Sequence, residues 1–498
     1  MTDETQSTTV GAEPSEAADA TPFAPAVLTR LVWALWVASV GVLGMRFLSG
    51  STAPWQAFGA VTVDGLTVLL WIVVTFFSGI IHSYSCRYMA GDSGLTRFFT
   101  RIFGFTVAVM VLAAADHAAL FVGAWLAMGL VMADLVGHVR GWSQAQAAAG
   151  LARRYFVGSS ALVGTALAVL WWQTGATTVS GIAAATSSLS GPSVFLAGSA
   201  LVLAAAIQSA LLPFHTWLLS SMTAPTPASA LMHAGFVNAG GILLLRFAPV
   251  VTIEPSVMLA IVLLGTISAL GGKLLKSVQT DVKRRLGCST VGQMGFMLMQ
   301  AGLGFFGAAI THLVLHGFYK AYKFLSAGSR VERAAPSAAA ERDSLGLVGV
   351  AVAAVSAVAG GAVFVVTTGK GGEFDTGLLL TLIVVVSTMH AARTTLGQGD
   401  LPVAARLAAI PLVLLPAVAL YGLVYNAIRT VLSGLPIVTA ATTLTPVHGL
   451  VAVAFVSSYV AIDTGVYRRS RRLYVALLNA SRSPTTTMTT STEDYNEY

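Results

Sequence analysis

Two histidines and a lysine recur at four-residue spacing in an otherwise apolar segment, and all three side chains can carry protons. They are His312, His316 and Lys320, in the run that extends from Thr311 to Lys323. Residues four apart lie on one face of a helix. A charge at membrane depth is costly and persists mainly where it faces a bundle interior, a water-filled cavity or a partner. The row therefore indicates charge movement through a membrane rather than the chemistry of a soluble enzyme.

The composition predicts an all-α polytopic membrane protein. Of the 498 residues, 55% are hydrophobic and 10% are charged, whereas soluble domains carry about 25% charged residues. A span takes about 20 apolar residues, and fourteen segments meet that length approximately. Their predicted bounds are 27–49, 63–84, 98–115, 117–138, 154–174, 193–216, 227–249, 256–277, 283–304, 305–328, 344–367, 376–397, 403–428 and 445–465.

Basic residues alternate between the predicted loops, and this alternation predicts the orientation. Loops after even-numbered segments hold most of the Arg and Lys residues, and Arg246, Lys370 and Arg429 are the exceptions in the other loops. The positive-inside rule then places both termini in the cytoplasm. The net charge of +7 follows this topology, so we expect contact with the lipid bilayer and no nucleic-acid partner.

Two segments are predicted to be interrupted. Pro213 lies in the sixth segment, where it removes a backbone hydrogen bond, and the pair Gly360-Gly361 lies in the eleventh. Interrupted helices at membrane depth line a cavity or the protein interior. Because the two interruptions are five segments apart, they suggest two inverted five-helix repeats that contain broken helices.

The predicted division of the chain follows from these features. It consists of a disordered cytoplasmic tail at 1–26, N-terminal spans at 27–97, five-helix repeats at 98–250 and 251–400, C-terminal spans at 401–466, and a basic amphipathic segment with a disordered tail at 467–498. The first 25 residues are acidic and lack the basic region of a secretory signal, so we expect a retained tail. The stretch from Asn479 to Tyr498 is rich in Ser and Thr and is also predicted to be disordered.

Five further residues are candidates for the same pathway, and each also has a plainer interpretation. Lys323 continues the row, although a lysine near a helix end can snorkel to the interface. His215 and His233 flank the proline interruption and act either as relay groups or as core hydrogen-bonding groups. Asp134 lies in the fourth segment, where a capping or interfacial carboxylate is the alternative. Lys273 lies near the end of the eighth segment, and its sequence position does not decide between a pathway role and snorkelling to the interface.

No motif for catalysis is present in the sequence. There is no phosphate-binding loop and no cluster of metal ligands, and the two cysteines, Cys86 and Cys288, do not form a Cys-x-x-Cys pair. We therefore expect a transport subunit rather than an enzyme, with no cofactor on this chain.

Several ordered motifs between about residue 62 and residue 330 resemble the antiporter-like subunits of respiratory complex I and of multisubunit sodium/proton antiporters. They are Pro213-Phe-His-Thr-Trp217, Ala224-Pro-Thr-Pro-Ala-Ser-Ala-Leu-Met-His233, Gln279-Thr-Asp-Val-Lys-Arg-Arg285, Ser289-Thr-Val-Gly-Gln-Met-Gly-Phe296 and His312-x-x-x-His316-Gly-Phe-Tyr-Lys320. The resemblance implies that Lys320 and the three histidines at 233, 312 and 316 belong to an ion pathway.

The chain departs from that family pattern at the first half-channel. The family has a Glu where Leu126 follows Trp125, and a Lys where Gln208 precedes the proline element. The charge pair of the first half is therefore lost, and Asp134 or Lys370 could take over for the missing groups. Only a short basic segment follows the fourteenth predicted span, where the related complex I subunit continues into a long lateral helix.

A shortened and partly neutralised member of this superfamily is similar to the membrane subunit of DAB-type inorganic carbon transporters, the DabB family. The resemblance implies an ion-conducting (proton or Na+) subunit that powers CO2 hydration to bicarbonate by a large cytoplasmic zinc-binding partner of the DabA type, related to carbonic anhydrases. Two alternatives remain open at this point. One is an antiporter-like subunit of complex I or of a multisubunit antiporter, and the other is a non-conducting membrane anchor.

Overall fold

Helices form nearly all of the regular structure in the computed structural model, which describes residues 23–327, 347–396, 402–465 and 469–487. The helices of the first half of the chain are α1 (Phe23–Ser49), α2 (Gly65–Tyr88), α3 (Leu95–Ala114), α4 (Ala118–Val136), α5 (Ser143–Thr174), α6 (Val179–Ala184), α7 (Pro192–Gln208), α8 (Thr216–Ser220), α9 (Thr226–Ala234), α10 (Ala239–Arg246) and α11 (Ala248–Val251). Those of the second half are α12 (Pro255–Ser277), α13 (Val282–Gly302), α14 (Phe306–Leu325), α15 (Leu347–Thr368), α16 (Thr376–Leu396), α17 (Val403–Val431), α18 (Pro446–Asp463) and α19 (Arg471–Ala480).

Every predicted span coincides with helical structure, and the fold class of a polytopic helical membrane protein is confirmed. Within the described residues, ten helical segments are long and apolar enough to cross a bilayer. Two shorter apolar helices, Pro192–Gln208 and Pro446–Ile462, correspond to the sixth and fourteenth predicted spans. The ninth and tenth predicted spans are α13 and α14, which are long enough to cross but less apolar, since α13 holds three consecutive basic residues and α14 holds two histidines and two lysines. The number of fourteen spans and their division into repeats stay predictions.

The sixth segment is interrupted where the sequence predicts it. Helix α7 ends at Gln208, and the chain reaches α8 through a cis peptide bond between Leu212 and Pro213. The structure adds an interruption in the seventh segment that the sequence analysis missed. There α9 ends at Ala234, and a short 3-10 turn at Phe236–Asn238 precedes α10. Both breaks lie in the buried part of the bundle, as irregular backbone at membrane depth requires.

The predicted interruption of the eleventh segment is wrong. Helix α15 runs without a break through Gly360 and Gly361. A Cβ added at Gly360 would lie 3.2 Å from Thr388, and one added at Gly361 would press on Val385, both on α16. The glycine pair therefore serves close packing of two helices rather than a helix break, as small residues do in membrane bundles.

A glycine seam joins α12 and α13, the helix pair with the most extensive contact in the described part of the chain. A Cβ at Gly265 would lie 2.6 Å from the backbone nitrogen of Met299, and one at Gly272 would lie 2.6 Å from Cα of Gly292. Backbone thus meets backbone along the seam. This approach fixes how α13 presents its carbonyl groups to α14, which packs on its other side.

The two ends of the bundle differ in charge, and we name the end that carries Arg87, Lys276 and Arg284 the basic face. At the opposite face the chain forms a small hairpin of strands β1 (Trp55–Ala57) and β2 (Val61–Val63), which pair antiparallel. Arg246, an exception to the charge alternation, lies there in an ion pair with Asp64. It also donates to the carbonyl of Ala113 at 2.8 Å, so its charge is paired inside the protein.

The C-terminal segment lies against the basic face. His215 Nε2 is 2.9 Å from the carbonyl oxygen of Ala480, and Gln279 donates to Ser481 at 2.5 Å. Ser483 and Thr487 are buried. The stretch 479–487 is therefore packed, in contrast to its predicted disorder. The predicted tails at 1–22 and 488–498 lie outside the described residues, and 23–26 form the first turn of α1.

Candidate ion pathway

Lys320 lies on α14 with its side chain fully enclosed by the protein. It is 0% exposed, and its Nζ donates a hydrogen bond to the backbone carbonyl of Leu286 on α13 at 2.8 Å. The ammonium group therefore points into the bundle and not toward lipid. It lies about one and a half turns from the end of α14 at the basic face. In the described residues Lys320 has no acidic partner within ion-pair distance, so its charge is not cancelled by a fixed carboxylate.

The carbonyl of Leu286 is shared, and through it Lys320 is joined to His233. Thr290 Oγ1 donates to the same oxygen at 3.0 Å, and His233 Nδ1 lies 2.9 Å from Thr290 Oγ1. A hydroxyl donates one hydrogen. With that hydrogen directed at Leu286, His233 Nδ1 must donate to the threonine. The His233 ring also stacks on Phe324 at a centroid distance of 4.4 Å, which holds its plane.

The two histidines of α14 continue the row away from the basic face. The rings of His312 and His316 are parallel to within 17°, with centroids 5.8 Å apart. The Nε2 atoms of both are buried and have no hydrogen-bond partner within the described chain. His316 also faces the backbone of His233 at the helix break. The row predicted from spacing is thus one contiguous set of interior side chains that includes His233.

Two cavities meet at His312. One has a volume of about 360 Å³ and is lined by Gln300, His312 and Tyr421, among others. The second, of about 440 Å³, is lined by His312 together with Lys273 and Lys276, and extends toward the basic face. Both are large enough for several water molecules. The His312 end of the row therefore borders space that water can occupy, whereas Lys320 has no exposed surface.

Lys370 is a further buried basic residue, and it lies toward the face opposite the basic face. It lies in the loop between α15 and α16, and its Nζ is 3.3 Å from the ring centroid of Tyr425 and 5.2 Å from that of Phe305. Burial, with a smaller contribution from the charge of Arg429, lowers the pKa of Lys370 to about 7. No hydrogen-bond partner for Nζ exists among the described residues. Tyr421, which lines the smaller cavity, lies one helical turn from Tyr425.

The first half of the bundle contains no comparable row in the described residues. Gln208 is fully buried at the end of α7, and neither its Nε2 nor its Oε1 has a hydrogen-bond partner there. Trp125 donates to Ser159, which in turn donates to the carbonyl of Ala204. Neutral hydrogen bonds thus occupy the region where the resemblance implies a Glu and a Lys.

Three predicted pathway residues lie away from the row. Asp134 pairs with Arg101 and Arg153 at the basic face, at 3.4 and 2.9 Å, and its side chain is 42% exposed. That position fits the interfacial interpretation and not a replacement for the missing interior carboxylate. His215 contacts the C-terminal segment. Lys323 is half-buried near the end of α14, where its Nζ lies 5.5 Å from the Tyr319 ring.

Sequence reasoning missed two features. One is the Leu286 carbonyl that joins Lys320 to His233 through Thr290, and the other is the burial of Lys370. Thr290 lies inside a motif that the sequence analysis noted, yet nothing in its type or spacing indicates that it contacts His233. Lys370 attracted attention only as an exception to the charge alternation. Its burial under Tyr425 depends on α17, which is distant in the chain.

Family models match two stretches of the chain. Residues 114–356 match the model described as NADH:quinone oxidoreductase/Mrp antiporter, TM, and residues 56–99 match that of the NADH-ubiquinone oxidoreductase (complex I) chain 5 N-terminus. The fold is similar to that in the structure of the Mrp complex from Dietzia sp., with a TM-score of 0.56 and 22% sequence identity, over 92% of this chain and 50% of that one.

Over these stretches the chain is similar to the antiporter-like subunits of complex I and Mrp, and its apolar helices are those of a multi-pass membrane protein. Two relatives carry the name probable inorganic carbon transporter subunit. DabB1 of Halothiobacillus neapolitanus is 40% identical over 56% of this chain and 51% of its own length, and DabB of Bacillus subtilis is 39% identical over 59% and 57%.

NADH-quinone oxidoreductase subunit L of Mycobacterium tuberculosis is 35% identical over 54% of this chain and 43% of its own length. The chain thus aligns with about half the length of the curated relatives it matches. The resemblance to DabB-type and complex I subunits that the motifs predict is confirmed.

Proposed function

We propose that this chain is the ion-conducting membrane subunit of an energy-coupled inorganic carbon pump in a prokaryotic cell membrane, with both termini in the cytoplasm. The observation that carries the proposal is the enclosed row of Lys320, His316 and His312, joined to His233 through the Leu286 carbonyl. The names of the DabB relatives support the choice of inorganic carbon as the substrate.

In this proposal a proton (or Na+) moves between the two faces along the row of Lys320, His316 and His312, with His233 linked to Lys320 through Thr290 and the Leu286 carbonyl. The cavities at His312 supply water on one side of the row. Lys320 takes and releases a proton, and its bond to a carbonyl rather than a carboxylate leaves the ammonium form unanchored by a counter-charge. Na+ would instead use the carbonyl oxygens at the helix breaks.

The energy available from ion flow is sufficient to drive carbon hydration in one direction. One elementary charge crossing 100 mV releases about 2.3 kcal/mol, and about 1.4 kcal/mol changes an equilibrium tenfold. The chemistry itself belongs to a large cytoplasmic zinc-binding partner related to carbonic anhydrases. This chain would contribute the ion path and hold no metal of its own.

A direct test measures proton flux in proteoliposomes that contain the purified chain, with and without its partner, under an imposed membrane potential. Lys320→Ala should reduce flux to the background of empty liposomes because it removes the only lysine of the enclosed row. Arg154→Gln, which removes an exposed charge at the basic face, should conduct as the unaltered chain does. Equal flux in Lys320→Ala and Arg154→Gln would refute the role of Lys320.

A second measurement, made in cells, separates the competing functions. The match to subunit L and to an Mrp complex favours an antiporter-like role as the second candidate. Cells that express the chain with its partner should accumulate bicarbonate under the first proposal, and should instead gain Na+-dependent proton exchange under the second. If the unaltered chain and its partner show no flux at all, both conducting functions are excluded and the chain is a non-conducting membrane anchor.

A further inference from the structure

The larger of the two cavities at His312 is lined by basic and polar side chains that have no role in the proposed proton path. It lies between α12, α13, α16 and α18 and has a volume of about 440 Å³. Polar residues that line it include Lys273, Lys276, Ser289, Gln293, Ser387 and Tyr459, together with His312 and His390. None of the described residues that line it is Asp or Glu. The cavity therefore concentrates hydrogen-bond donors and positive charge without a fixed negative group.

Lys273 and His390 form the central contact of this cavity. Lys273 Nζ lies 3.1 Å from His390 Nε2. An ammonium group has no lone pair to offer, so with Lys273 charged the imidazole must accept the hydrogen bond at Nε2 and be neutral. Two of the three ammonium hydrogens remain for another acceptor. Ser387 lies one turn before His390 on α16 and lines the same space.

Snorkelling alone would predict a different arrangement. A lysine that snorkels extends its amine away from the bundle toward water and lipid headgroups. Lys273 instead reaches across to α16. Lys276, one turn closer to the basic face, also lines the cavity and makes no ion pair with any described residue. Lys273 is exposed and Lys276 is partly buried, so two lysines from α12 line one open cavity.

We propose that this cavity binds an oxyanion between Lys273, Lys276 and Ser387. Planar or tetrahedral oxyanions suit the site because ammonium and hydroxyl donors line one cavity that has no Asp or Glu among its described lining residues. Two sources have this chemistry: a free ion such as bicarbonate or inorganic phosphate, and the phosphate of an acidic lipid. The inference goes beyond the proposed proton path, since anion binding requires no ion flux.

Occupancy of the cavity would also affect the row, because His312 lines the same space. A negative charge there favours a positive charge on the nearby imidazole.

The test uses the full chain in nanodiscs of neutral phosphatidylcholine, with bicarbonate and inorganic phosphate titrated calorimetrically. Lys273→Gln should weaken binding at least about tenfold, as expected from loss of a charge-assisted hydrogen bond. Lys273→Arg should retain binding because it keeps a donor and the charge. Arg154→Gln, which removes a charge outside the cavity, should bind as the unaltered chain does.

A second arm identifies the source of the anion. In nanodiscs that contain phosphatidylglycerol, native mass spectrometry should show a retained acidic lipid on the unaltered chain and less on Lys273→Gln if the headgroup is the ligand. Binding of soluble ions in neutral lipid assigns a free anion instead. If neither ligand binds, or if Lys273→Gln and Arg154→Gln behave alike, the site does not exist. These measurements stand apart from flux, so either proposal can fail alone.

Discussion

At the scale of single residues, Thr290 joins the lysine of the row to a histidine on another helix. We expect Thr290→Val to lower proton flux by about tenfold, because it removes a hydroxyl that contacts both His233 and the Leu286 carbonyl. A hydrogen bond contributes about 1 kcal/mol, close to the 1.4 kcal/mol of a tenfold change. Flux in proteoliposomes is the measurement.

Thr311→Val provides a matched control for that substitution. Thr311 is also buried and also donates to the carbonyl four residues earlier, that of Gly307 at 2.9 Å, but it makes no hydrogen bond to a titratable side chain among the described residues. Its replacement should leave flux unchanged. A similar loss of flux in both variants would mean that the effect comes from helix stability and not from the Thr290 contact with His233.

Lys370 should give the protein a distinctive pH dependence of stability. The unfolded chain holds this proton up to the ordinary lysine pKa of about 10.4, whereas burial lowers the folded pKa of Lys370 to about 7. Between these values the unfolded state binds more protons, so the stability of the fold rises with pH. We expect the melting temperature in detergent to increase from about pH 7 to about pH 9 by this contribution.

Lys370→Met should flatten that rise and increase the melting temperature most at the lower pH, since folding no longer has to remove a proton from a buried amine. Lys323→Met removes a less buried lysine and should leave the slope in place. Unaltered slopes in both variants would show that Lys370 does not titrate in this range.

The residues of the row were predictable from the sequence because their four-residue spacing fixes a common helix face. The spacing could not specify what that face meets. Lys320 reaches a carbonyl of α13, and Asp134 finds two arginines at the basic face. Both outcomes depend on helices that are neighbours only after packing.

At the scale of elements, the glycine seam of α12 and α13 supports both the row and the basic cavity. Gly272→Ala should destabilise the protein by about 1–3 kcal/mol, the usual cost of overpacking, because its Cβ would meet backbone atoms of Gly292. Gly104→Ala on α3 provides the control. It has no atom within 4 Å of the added Cβ, and alanine favours helix over glycine by about 1 kcal/mol.

Thermal unfolding in detergent is the measurement, and Gly104→Ala should melt at or above the temperature of the unaltered protein. Equal melting temperatures for the two variants would show that α12 and α13 tolerate separation. Gly360 and Gly361 illustrate the same physics, since the sequence indicates a helix break and the structure uses the glycines for contact. A glycine pair is compatible with either role, and only the position of α16 decides between them.

At the scale of the whole molecule, the charge alternation predicts which loops face the cytoplasm. In a background without Cys86 and Cys288, Ser51→Cys on the opposite face should react with a membrane-impermeant maleimide added to intact cells. Ser93→Cys, on the loop between α2 and α3, should react only after the cells are opened. Both serines are exposed, so access alone determines the result, and the reverse pattern would invert the proposed topology.

The sequence by itself determined that the chain crosses a membrane many times, where its helices lie and which face of α14 carries the titratable groups. These properties are local, because apolar length and residue spacing set them within one segment. Only the tertiary structure decided that His233 joins Lys320 through a carbonyl, that Lys370 is buried under Tyr425, and that a basic cavity meets His312. Each of these requires side chains from helices far apart in the chain, and the packing that brings them together depends on glycine contacts and helix breaks whose partners no single segment encodes.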